Sequence, residues 1–108
     1  MERDIPEKDW KLLRRLSPVA MERFCARVLE EATRIGAAPD RTSHERYREL
    51  FQLMRQQDCE LAAAFDDHRR STAIVKLMRI QALGLLTEAE LAAFTEETRN
   101  VVLTLSQR

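Results

Sequence analysis

The chain has 108 residues, and eighteen Lys and Arg balance eighteen Asp and Glu to a formal charge of zero. That length accommodates one domain with a real core and not two, so residues 1–108 are expected to form a single domain. The interleaved signs give no basic arm for nucleic acid or an anionic membrane, and two Gly with three Pro among many Ala, Leu, Glu, Arg and Gln predict an all-α fold.

The segment up to Trp10 is charged and lacks an apolar signal core, and no uncharged run is long enough to span a bilayer. A cytoplasmic location is therefore expected. Asp4 can cap a first short helix, with Pro6 in its first turn and Glu7 favourable to the dipole. Trp10, Leu13 and Leu16 share one face, with Trp10 as a core anchor. Ser17-Pro18 reads as a cap followed by proline at the first helical position, so the chain is expected to turn and restart there. The second helix would bury Met21, Phe24, Cys25, Val28, Leu29, Ala32 and Ile35, and pair Glu30 with Arg34 on its outer side. Gly36 would stop it in a left-handed conformation. Residues 37–41 form a linker.

Thr42 and Glu45 have the spacing of a capping box, which opens a long apolar stripe. Steps of three and four connect Tyr47, Leu50, Met54, Gln57, Leu61, Ala64, His68, Ser71, Val75, Met78, Ala82 and Leu85. The stripe keeps its phase across Asp66 to Thr72, where no Gly or Pro occurs. A long central helix from about 43 to 83, straight or bent, is expected, with short N- and C-terminal helices packed on it as a bundle. At 1.5 Å per residue it would be roughly 60 Å long. A hairpin turning at Asp66 to Arg70 is the alternative, and it would close a compact bundle. Gly84 ends the segment. Thr87 and Glu90 form a second capping box before Leu91, Ala92 and Phe94, and Thr95 can cap a last helix bearing Val101 and Val102.

A rod of that length in a short chain leaves apolar surface for a neighbour. The expected interface is Leu61, Ala64, Phe65, His68, Ser71, Val75 and Met78, joined by a polar network of Asp66, Asp67, Arg69 and Arg70. An intrahelical pairing of Asp66 and Asp67 with Arg69 and Arg70 gives the competing reading of a solvated charged segment. Leu61 and Val75 lie on this interface and Arg48 lies off it.

No catalytic, metal or cofactor constellation is expected. Cys25 and Cys59 have no zinc or redox spacing and read as buried free thiols. His44, Glu60, Asp67 and His68 offer ligand types without a shared helical face. Nucleic-acid binding would need Arg14, Arg15, Arg23, Arg27, Arg46, Arg48, Arg55, Arg69 and Arg70 to converge on one surface.

The runs Asp9-Trp10-Lys11, Glu22-Arg23-Phe24-Cys25, His44-Glu45-Arg46-Tyr47 and Ala64 through Ala73, with Gly84-Leu85-Leu86-Thr87 and Glu90-Leu91, carry a resemblance over most of the chain. It resembles small all-helical bacterial proteins of unassigned function. The resemblance implies a fold type and no catalytic residues. The expected function is a non-enzymatic helical interaction or scaffolding module acting as a homodimer, with another protein as a further partner. The alternative is an Arg-mediated nucleic-acid-binding regulator.

Overall fold

The structure is a computed structural model that describes residues 5–67 and 69–106, with side chains as far as Thr104. The expected cap at Asp4 and the interface position His68 lie outside the described residues. Among the described residues five α-helices follow one another: α1 (Glu7–Gly36), α2 (Ser43–Phe65), α3 (Ala73–Ala82), α4 (Glu88–Ala92) and α5 (Glu96–Ser106), with a 3₁₀ turn at Arg70–Thr72. The all-α class stands.

The longest helix is α1, of 30 residues, and it replaces the two helices expected before Gly36. Pro18 sits inside it without ending it. Proline removes one donor and crowds the carbonyl four residues back. Here Arg14 and Pro18 both lie on the solvent face, where water can take the orphaned carbonyl. Gly36 closes α1 without a left-handed residue; Ala37 follows at φ −104° and its amide donates to Thr33 O at 3.1 Å. Arg34 pairs with Glu31 one turn back instead of Glu30.

The continuous helix over 43–83 is not formed. α2 stops at Phe65, Asp66 is extended at ψ 161°, and Asp67 takes a left-handed φ of 56°. Asp tolerates that conformation better than most residues, so the chain turns without glycine. Thr72 holds the turn: its hydroxyl donates to Asp67 O at 2.9 Å and accepts from the Arg69 amide at 3.2 Å. The chain therefore doubles back, as in the hairpin alternative, and α3 packs against α1, α2 and α5.

Both capping boxes form. Thr42 Oγ1 accepts from the Glu45 amide while Glu45 Oε1 accepts from the Thr42 amide, and Thr87 with Glu90 repeats the pattern. Gly84, at φ 69°, ends α3 in a Schellman turn, with its amide on Gln81 O and the Leu85 amide on Ile80 O. Leu85 and Ile80 bury together beneath it.

The core occupies one end of the molecule. Leu13 and Ala20 of α1, Ala64 of α2, Leu77 and Ile80 of α3 and Val102 of α5 are fully shielded there. Burying a large aliphatic side chain contributes about 1.5–3 kcal/mol. Phe24 meets Phe65 edge-on, with ring centroids 6.4 Å apart, at the rim of this core. Beyond that pair, among the described residues, the second half of α1 and most of α2 continue as a two-helix arm. The radius of gyration is 16.6 Å and the extents are 53 × 26 × 26 Å, against about 13 Å for a compact domain of this length. Elongation comes from the arm.

Candidate functional site

The arm is the place where apolar surface exceeds what the chain can cover. Along α2, Leu50, Leu53 and Leu61 are half-buried on the side facing α1. Tyr47, Phe51 and Met54 follow one another at spacings of four and three on the adjoining flank. They are exposed at 66%, 53% and 39%. On α1, Leu29 is exposed at 62% and Met21 at 38%, although the helical pattern predicted both to be inward. Isolated exposed apolar residues are ordinary, whereas a contiguous group of them marks an interaction surface.

Leu29 and Met54 meet across a shallow groove of about 310 Å³ between the two helices. Cys25, Val28 and Leu29 of α1 and Met54, Asp58 and Leu61 of α2 line it, and Phe24 lies at its inner end. The wall is apolar except for Gln57 and Asp58. Arg55 lays its guanidinium carbon 5.8 Å from the Phe51 ring centroid, a cation–π arrangement beside the apolar flank. Both thiols are free, but Cys25 is only half-buried in the groove and Cys59 is exposed beside Gln52, Arg55 and Gln56, which corrects the expectation that Cys59 is buried.

The residues expected to form one interface do not share a surface. Ala64 and Phe65 are buried in this chain's own core, and Leu61 and Met78 are half-buried. Ser71 and Val75 are exposed, but beyond the turn and on α3. Nor do Asp66, Asp67, Arg69 and Arg70 form one network. Asp67 Oδ2 accepts from Arg69 Nη2 at 2.8 Å, and that hydrogen bond holds its carboxyl below the usual range. Arg70 turns away and donates through Nε to Ile5 O at 3.0 Å. A helix would have been needed to bring the four together, and the turn removes it.

Sequence reasoning missed the role of the basic residues as helix-end caps. Arg46 of α2 donates to Gly36 O at the end of α1, at 2.5 Å. Lys76 of α3 donates to Ala63 O near the end of α2, at 2.7 Å. Arg27 of α1 reaches Leu83 O and Gly84 O past the end of α3, at 2.7 and 2.6 Å. Arg99 of α5 does the same for α4, at Ala92 O and Phe94 O. Each satisfies carbonyls that a helix leaves unpaired, at the negative end of its dipole. These contacts also disperse the arginines: Arg23, Arg27, Arg46 and Arg70 point at carbonyls of other segments, and Arg14 lies over Trp10.

A buried carboxylate was also missed. Asp9, fully shielded, accepts from the Thr95 amide at 3.0 Å, the Thr95 hydroxyl at 2.7 Å and the Thr98 hydroxyl at 2.5 Å. Thr95 was expected to cap α5, and Asp9 adds a second acceptor at that end from 86 residues away. The site is saturated by its own chain, which fits a structural role. Among the described residues, no three His, Cys, Asp or Glu side chains gather as metal ligands, and no helix is long and apolar enough to cross a membrane.

No protein-family model, no curated protein and no solved structure matches this chain.

Proposed function

We propose that the chain is a non-enzymatic helical protein–protein interaction module that acts as a homodimer through its α1–α2 arm. The observation that carries this is the uncovered flank of Leu29, Tyr47 and Phe51, each more than half exposed on an arm that stands clear of the core. Removing that flank from water is the favourable term available to association. The overhang is a pair of helices and not a single rod of roughly 60 Å, and its uncovered apolar side is the flank of Leu29, Tyr47 and Phe51 and not the stripe through Val75. Sedimentation equilibrium at about 10–200 μM tests it, a range in which an interface of modest size is populated. A dimer that Phe51→Glu converts to monomer with unchanged helical circular dichroism supports the reading. A wild-type monomer throughout that range removes it.

A further inference from the structure

The exposed side of α2 is sorted by chemistry around the helix. Successive residues advance by about 100°, which places Met54, Tyr47, Phe51, Arg55 and Arg48 in that order across an arc of about 120°. All five are exposed. The apolar three lie on the side of the groove that Met54 lines with Leu29 of α1, and the two arginines form the outer edge. Arg55 leans over the Phe51 ring, with its guanidinium carbon 5.8 Å from the centroid, and so joins the two halves of the strip.

The edge is cationic and unanswered. Among the described residues neither Arg48 nor Arg55 belongs to an ion pair. The neighbouring acids of α2 are engaged elsewhere: Glu45 closes the capping box at Thr42, and Glu49 pairs with Arg41 at 3.3 Å. Asp58 lies beyond Arg55 toward the core, on the apolar side of the strip and about 60° around the helix from that arginine. A second copy laid on this face would bring the same two arginines and one Asp58. It would cover the apolar strip and leave the edge unmatched.

We propose that the strip docks an acidic amphipathic helix of another protein, its apolar stripe on Tyr47, Phe51 and Met54 and its carboxylates along Arg48 and Arg55. This rests on the reading of the arm as an interaction surface and goes beyond it in the occupant. The helix and a second copy use the same flank and exclude one another. A helix is the fitting shape, because 47, 51 and 54 repeat at steps of four and three, which another helix matches with apolar residues of the same spacing. Arg48 and Arg55 are seven residues apart, two turns or about 10 Å, so carboxylates seven apart on the partner reach both. Carboxylate is an anion that the arginine fork fits. Nucleic acid is disfavoured: its affinity comes from neutralising many phosphates, and two cations supply few. Arg48, which the sequence placed off any interface, becomes part of one.

The probe is a synthetic peptide of about 18 residues, long enough to form a helix, with Leu at steps of three and four, Glu along one flank, and Ala and Gln elsewhere. Fluorescence anisotropy of the labelled peptide against the full chain reads Kd. Sedimentation equilibrium reads the state of the chain with and without it, and circular dichroism verifies that each exposed-site variant stays helical. Binding with a Kd of about 100 μM or tighter is expected, with the wild-type dimer giving way to a complex of one chain and one peptide. The same peptide with Lys in place of every Glu should bind at least about tenfold more weakly, and so should the Glu peptide against Arg48→Glu/Arg55→Glu. Asp58→Asn should not weaken the Glu peptide. No binding of that peptide, equal binding of the Lys peptide, or an indifferent double variant overturns the acidic helix and leaves self-association standing on its own test. A monomeric wild type that binds the Glu peptide in this pattern removes the dimer and keeps the helix.

Discussion

Arg23 holds Glu90 with both terminal nitrogens, at 2.7 and 3.0 Å, while its Nη1 also donates to Leu85 O at 2.7 Å. One side chain of α1 thus fixes the start of α4 and the turn after α3. The same glutamate accepts from the Thr87 amide in its capping box. Hydrogen bonding to Arg23 comes first among the causes, the Thr87 amide second, and together they lower the Glu90 carboxyl from 4.5 to about 2. A depressed folded-state value stabilises the fold above the unfolded value and loses that contribution as acid is added. Stability should hold from neutral pH to about 4.5 and fall progressively towards about 2. Glu90→Gln should cost about 1 kcal/mol at pH 7, after allowance for solvent screening of a partly exposed pair. It should also shrink the decline below pH 4.5, the ordinary value of this group. Urea unfolding across pH checks both, and an identical acid decline in Glu90→Gln would rule the pair out as its cause.

Asp9 gives a second acid-sensitive tie. Burial alone would raise its carboxyl, but the hydrogen bonds from the Thr95 and Thr98 side chains and the Thr95 amide outweigh that and hold it below 3.8. Asp9→Ala would take the acceptor from the buried Thr98 hydroxyl and from the half-buried Thr95 amide, and an unsatisfied buried donor carries a penalty of about 1–3 kcal/mol. We expect a loss of about 3 kcal/mol or more in denaturant unfolding. Hydrogen exchange should locate the loosening at α5 and the first turns of α1.

The two glycines should respond oppositely to alanine. Gly84 sits at φ 69° with its nearest non-local atoms, the Arg27 guanidinium nitrogens, 4.0 Å from where a Cβ would be. There is room, so the penalty is backbone strain alone, about 1–2 kcal/mol. Gly36 has an ordinary φ and open space around it, so Gly36→Ala should stabilise by about 0.5–1 kcal/mol. Thermal melts of the two variants should shift in opposite directions.

What could be read from sequence was local. Thr42 with Glu45 and Thr87 with Glu90 are three apart and announce their helices directly. Gly84 announces its turn because glycine is the residue that accepts a positive φ without strain. The break after Phe65 was hidden because Asp67 performs a glycine's conformational task and because the apolar stripe stays in phase through the turn. Pro18 misled in the other direction: proline usually opens a helix, and only its place on the solvent face lets α1 run through it. Asp9, Arg27, Arg46 and Lys76 act on partners far along the chain, and no spacing rule reports such distances. The arm's exposed flank did leave a trace. Phe51 and Leu53 widen the apolar sector of α2 beyond what one neighbouring helix can cover.

The helix-end caps close into a circle. Arg46 on α2 secures α1, Arg27 on α1 secures α3, and Lys76 on α3 secures α2. Loosening any one of the three strips a guard from the next, which in turn exposes the third. Such mutual dependence joins the projecting helices to the fate of the distant core, so the whole chain should melt in one step, with no separately unzipping hairpin.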